Sequence, residues 1–159
     1  MGWGRYKVAT TPRAQGAAMK LEVAQRILAA TLAHARGRSM QPLAVAVLDA
    51  RGSPRALAAE DGTSLRRSDI AIGKAHGALA MGLGSRTLMK RAELQPYFIA
   101  AVTHAVGGSL IPVPGGVLIR DAAGSLLGAV GVSGDSSDND EAAAMAGIES
   151  VGLKGDPGA

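Results

Sequence analysis

No cysteine occurs anywhere in the 159 residues, which excludes disulfides, thiolate metal sites and cysteine nucleophiles at once. Bulky aromatics are almost as scarce: Trp3, Tyr6, Tyr97 and Phe98 are the whole set. The core must then be built from Ala, Val, Leu and Ile, and with 22 glycines in the chain close packing of helices against a sheet is expected. Long apolar runs are missing too. Nothing approaches the roughly 20 consecutive apolar residues that span a bilayer, and the first residues lack the apolar stretch of a secretory signal. The expectation is a cytoplasmic protein with no membrane partner.

Acidic residues are absent from one region. The first twenty residues hold Arg5, Lys7, Arg13 and Lys20 and no Asp or Glu, which accounts for the whole net charge of +4; beyond Lys20, bases and acids balance. A nucleic-acid surface calls for a basic stripe on the folded domain, preferably with aromatics beside it. Neither is visible, so no nucleic-acid partner is expected and the basic stretch reads as a solvated tail.

What is present is a chain 47% hydrophobic, long enough for one sizeable core and short for two. Residues 1–19 mix Gly, Pro and Thr with bases and read as an N-terminal extension, residues 20–152 as the domain and 153–159 as a C-terminal tail. From Lys20 onward, Leu21, Ala24, Ile27, Leu28, Leu32 and Ala35 recur at helical spacing, with Gly37 placed as a C-cap glycine. Leu43 to Leu48 is an unbroken apolar run between Pro42 and the turn Asp49-Ala50-Arg51-Gly52, which predicts a strand covered on both faces. A hairpin partner follows at Arg55 to Glu60. The next helix runs from Ser68 or Asp69 to Ala80, with Ser68 as N-cap and a narrow face of Ala71, Ala75, Ala78 and Leu79.

Gly84-Ser85 opens a short helix through Ala92, and Pro96 opens another through Thr103 that Gly107-Gly108 stops. A second hairpin, Val117 to Arg120 and Leu126 to Val132, repeats the Asp-Ala-x-Gly turn as Asp121-Ala122-Ala123-Gly124. In both turns a left-handed glycine is expected to close the loop. A last helix extends to Val151, capped by Ser137 or Asp138. Two hairpins separated by helices do not make alternating βαβ units, so the fold class is α+β, a mostly antiparallel sheet with helices packed on it.

Four segments taken together resemble the GlcG/HbpS family, which includes the C-terminal domain of PduO-type proteins. They are Val45-Ala46-Val47-Leu48-Asp49-Ala50-Arg51-Gly52, Asp69-Ile70-Ala71-Ile72-Gly73-Lys74-Ala75, Pro114-Gly115-Gly116-Val117-Leu118-Ile119 and Gly128-Ala129-Val130-Gly131-Val132-Ser133-Gly134. Asp140-Glu141 followed by Ala146-Gly147 adds the family's terminal helix. The resemblance implies an α-β-α sandwich likened to the profilin fold, assembly into homo-oligomers, and binding of a small-molecule ligand such as haem or a corrinoid. The sequence departs from the family pattern at Leu118, where proline is usual, and at Lys20, where Ser or Thr often opens the first helix.

Against that background three kinds of residue are candidates for the ligand site. With cysteine absent, His34, His76 and His104 are the nitrogen donors available as axial haem ligands. No two of them stand three or four residues apart, and no His-Glu-x-x-His occurs, so a dedicated zinc site is not expected. Lys74 sits in an otherwise small and apolar helix and matches a lysine of the family pattern. It would clamp a carboxylate, act as a base in a small enzyme for hydroxy- or oxo-acids, or pair structurally with Asp69, Asp61 or a backbone carbonyl. Gly115-Gly116, after two prolines, would bring backbone N–H groups to an anion or simply make a tight turn into a strand. The Gly128-x-x-Gly131-x-x-Gly134 repeat lacks the βαβ setting of a dinucleotide site and reads as close packing against a helix. No Gly-x-Ser-x-Gly elbow occurs.

Overall fold

The computed structural model describes residues 18–159; the basic stretch read as an extension lies, apart from its last two residues, outside them. The element order is α1 (Leu21–Gly37), β1 (Ala44–Asp49), β2 (Pro54–Ala59), α2 (Arg67–Met81), α3 (Ser85–Leu94), α4 (Pro96–Ala105), β3 (Gly116–Arg120), β4 (Leu126–Ser133), α5 (Ser137–Glu149) and β5 (Lys154–Asp156). The strands form one sheet in the order β2-β1-β4-β3-β5, and every neighbouring pair is antiparallel. This is the α+β architecture that the two hairpins imply.

The sheet is covered on both faces, and the two faces differ in kind. Val45, Val47, Val117, Ile119, Val130 and Val132 point to a core shared with Ile27 of α1 and Ile148 of α5. On the other face Ala44, Ala46, Leu48, Leu118 and Ala129 meet Ala71, Ala75 and Ala78 of α2. The unbroken apolar run of β1 is thus explained, because its residues alternate between two buried layers. α1 and α5 run antiparallel: Gly147 rests on Ile27 and Thr31, Val23 and Val151 line one depression, and Gln41 donates its N–H to Asp135 at 2.7 Å.

The repeated turns are built alike. Asp49 Oδ1 accepts the N–H groups of Arg51 and Ser53, and Asp121 Oδ1 accepts those of Ala123 and Ser125. Gly52 (φ 81°) and Gly124 (φ 87°) close the two turns in the left-handed region, as expected. Opposite the second turn, Ile119 pairs with Gly128 and Arg120 with Leu126. Leu127 is therefore a bulge residue, which turns it to the α1/α5 side while Leu126 faces α2.

Several local expectations are corrected. Gly37 lies inside α1 and the cap position is Arg38; the left-handed residue is Ser39 (φ 53°), because the chain makes one more turn through Ser39 N–H to Arg36 O and Met40 N–H to Ala35 O. Ser68 is a helical residue of α2, whose N-cap Arg66 has no side-chain cap, since the Ser64-to-Arg67 turn already starts the helix. α5 is capped by Ser136, not by Ser137 or Asp138; Ser136 is the residue with extended backbone, and it accepts from Asn139 N–H. Residues Lys154–Asp156, within the expected tail, add the edge strand β5 to β3.

Candidate functional site

Lys74, Gly115 and Gly116 do come together, at the end of the sheet where β4 runs into α5. Lys74 Nζ donates to Asp140 Oδ2 at 2.9 Å, and the two side chains are 3% and 2% exposed. The remaining Asp140 oxygen accepts the N–H of Asp135 at 3.0 Å. Gly115 (φ 114°) closes over the pair; a Cβ there would lie 3.0 Å from Lys74 Nζ. The Gly116 N–H donates to Ser85 Oγ at 2.7 Å, and a Cβ at Gly116 would strike the Lys74 carbonyl. Burial pushes the Lys74 ammonium down and the Asp140 carboxyl up, each shift opposed by the partner's charge. Asp69, a structural partner considered from sequence, pairs with Arg66 instead.

Charged groups continue outward from this contact. Arg67 donates to Ser133 Oγ at 3.2 Å. Arg86 donates to both carboxylate oxygens of Glu141 and to Asp138, and those bonds raise its pKa further above the ordinary range. The arrangement joins α2, α3, the glycine loop and α5, with the ammonium and the Gly116 N–H already satisfied by protein groups.

The opposite end of the sheet, at the two Asp-Ala-x-Gly turns, is open. A depression of about 370 Å³ is lined by Met19, Ala50 and the bulge residues Leu126 and Leu127, with Arg51 and Arg55 on its wall. It adjoins a second depression of about 220 Å³ that shares Ala18, Met19 and Leu127 and continues over Lys20, Val23, Val151 and Leu153. Together these make an apolar groove flanked by bases. Arg51 and Arg55 make no ion pair with a described residue. Sequence reading passed over both arginines. A signal was present: Arg51 occupies the turn position that Ala123 holds in the otherwise matching second turn.

The three histidines lie apart. His34 is on α1, on the α1/α5 side of the sheet, and its Nε2 is buried with no hydrogen-bond partner among the described residues. His104 is exposed in the last turn of α4. His76 is half-buried on α2, and its Nδ1 is 2.8 Å from the Ser109 carbonyl. A carbonyl only accepts, so Nδ1 carries the proton and Nε2 is left as the electron-pair donor. The ring lies against Gly52, the residue after Arg51: a Cβ on Gly52 would be 3.4 Å from His76 Cδ2.

Fold and site define a small α-β-α domain with a base-flanked apolar groove at the hairpin turns. The chain belongs to the HbpS-like family, described as haem degrading protein HbpS-like, whose family model matches residues 19–149. A search of curated proteins gives no match. Among solved structures it is similar to the PduO C-terminal domain in its haem complex, at 23% identity and a TM-score of 0.76, covering 86% of this chain and 96% of that one. A double mutant of Streptomyces reticuli HbpS gives 24% identity, a TM-score of 0.78 and coverage of 95% and 99%. Klebsiella pneumoniae ORFY gives 22%, 0.74, and coverage of 87% and 94%. At such identities the likeness is one of fold.

Proposed function

We propose that this protein binds haem in the groove at the hairpin turns. The carrying observation is the pairing of apolar walls from Met19, Leu126 and Leu127 with two arginines free of protein partners among the described residues. An amphiphilic macrocycle with anionic side groups needs both features, and arginine suits carboxylates through its planar fork of donors. His76 stands outside the groove's lining, but its Nδ1 is held by the Ser109 carbonyl and its ring abuts the turn that carries Arg51, so it would be the nitrogen donor to the iron. When bound, the group would supply redox and ligand-exchange chemistry at iron; the protein residues hold, orient and partly shield it. Family membership and a relative crystallised with haem support this ligand, and a corrinoid has no comparable support. Lys74, enclosed and committed to Asp140, serves the fold in this reading.

The test is an absorption titration with hemin. A saturable Soret shift at one equivalent is expected. Arg51→Glu with Arg55→Glu should weaken binding by about tenfold or more, the loss of roughly 1.4 kcal/mol of charge-assisted contact. His76→Ala should change the band position and spin-state markers, while His34→Ala and His104→Ala leave them as they are. No Soret shift with the parent protein, or an unaltered spectrum in His76→Ala, overturns the ligand or the axial assignment respectively.

A further inference from the structure

Residues 157–159 cross the start of α3 and supply what that helix lacks. Its N-cap, Gly84, has no side chain to cap with, and no acidic residue stands in its first turn, although the first N–H groups of a helix need acceptors from outside it. The Arg86 N–H donates to the Pro157 carbonyl at 3.1 Å, and the Ala159 N–H donates to Thr87 Oγ1 at 3.1 Å. The fit is backbone against backbone: a Cβ on Gly84 would run into the Pro157 carbonyl, and one on Gly158 (φ 89°) into the Thr87 hydroxyl.

The hold on this segment is slight. It follows β5, which is three residues long, and Asp156 is its hinge. One Asp156 oxygen accepts from Arg120 Nε at 3.1 Å and the other from the Gly158 N–H at 3.3 Å. The Arg120 and Asp156 side chains are 31% and 40% exposed, so water and salt screen their attraction. Pro157 and Gly158 are half-buried and Ala159 is exposed. Segments with so little buried apolar surface open locally at far lower free energy than the core.

What the segment holds down is tightly engaged. Ser85, next to Gly84, is fully buried and accepts the Gly116 N–H at 2.7 Å. Arg86 grips Glu141 and Asp138 of α5. The start of α3 thus fastens the glycine loop on one side and, on the other, the helix that carries Asp140.

We infer that residues 157–159 are a strap that latches α3 over the Lys74–Asp140 contact. Closed, the strap caps the helix and keeps the contact dry. Released, it leaves α3 uncapped, loosens Ser85 and Arg86 together, and admits water and small reagents to the ammonium. Residues 157–159 lie outside the lining of the groove, so the latch does not depend on what the groove binds.

The test is acylation of lysines by N-hydroxysulfosuccinimidyl acetate, followed by mass spectrometry of peptides, with amide hydrogen exchange on the same samples. Lys90, exposed on α3, is the internal reference. In the full chain Lys74 should react at least about tenfold more slowly than Lys90. Two variants release the strap by different routes: Gly84→Ala sets a methyl group against its backbone, and a chain ending at Asp156 removes it with α3 unaltered. Both should keep the parent's circular dichroism, speed Lys74 acylation and exchange at Arg86 and Gly116 by at least about tenfold, and leave Lys90 acylation and exchange at Val130 and Val132 unchanged. Lys74 reacting as fast as Lys90 in the parent, or staying unreactive in either variant, overturns the inference. So does an equal rise in exchange at Val130 and Val132, which would make the segment a general support of the fold and not a latch.

Discussion

The two faces of the sheet are buried by opposite means. Toward α1 and α5 the strands present Val45, Val47, Val117, Ile119, Val130 and Val132, branched side chains that hold the helices at an ordinary distance and fill the gap. Toward α2 a row of Ala46, Gly131 and Gly116 crosses three neighbouring strands, and the helix backbone lies in it. A Cβ at Gly131 would run into the Ala71 carbonyl, and one at Gly116 into that of Lys74. One face gains its stability from side-chain volume, the other from its absence. Polar backbone lies close to polar backbone on the second face, and that is where the buried Lys74–Asp140 pair is found.

The contrast makes opposite predictions for adding and removing atoms. Gly131→Ala adds one methyl group where the obstacle is helix backbone, which has no rotamer to yield, so the loss should exceed about 4 kcal/mol and leave little folded protein. On the other face Ile148→Ala deletes volume from a fully buried site and should cost about 2–5 kcal/mol while the domain still folds. Urea unfolding followed by circular dichroism measures both. A Gly131→Ala variant as stable as the parent would mean that α2 does not lie where the close approach requires.

Between these extremes lies the ion pair. Lys74→Met keeps the length and the helical preference of the side chain but leaves Asp140 buried without its cation, at a cost of about 3–5 kcal/mol. Adding Asp140→Asn removes the stranded charge and keeps an acceptor for the Asp135 N–H, so the double variant should recover part of that loss. A single substitution that leaves stability intact would show that the ammonium is not confined at this site, and would return Lys74 to the list of ligand-contacting groups.

Legibility followed the same division. The alternation of β1 and the matched Asp-Ala-x-Gly turns were readable because they rest on local rules, a two-residue period and a left-handed glycine. Pro96 opening α4 was readable for the same reason. The partner of Lys74 was not, since Asp140 is 66 residues away and meets it only after β4 has carried the chain past α2. The groove was hidden similarly: Met19, the first turn with Arg55, and the stretch Ser125 to Leu127 after the second turn converge from three separate segments. β5 was missed because three residues, Lys154, Gly155 and Asp156, are too few to show any period.

The start of α5 is the smallest of these ambiguities and can be resolved by one pair of variants. Ser136, Ser137 and Asp138 are successive residues with side chains fit to cap a helix, so sequence cannot choose among them. The choice is made by the turn before the helix. Asp135 Oδ1 accepts the N–H of Ser136 and a side-chain N–H of Asn139, and its other oxygen accepts the N–H of Gln41. These bonds hold the Asp135 carboxyl below its ordinary pKa and fix Ser136 in extended backbone (φ −63°, ψ 152°). Only a residue in that conformation aims its hydroxyl back at the first turn, and Ser136 Oγ accepts from Asn139 N–H. Ser136→Ala should therefore cost about 1 kcal/mol, whereas Ser137→Ala, inside the first turn and free of that bond, should change stability by less than about 0.5 kcal/mol. Equal losses in thermal or urea unfolding would mean that the cap is shared along the turn, and the network around Asp135 would then not be what sets the first residue of the helix.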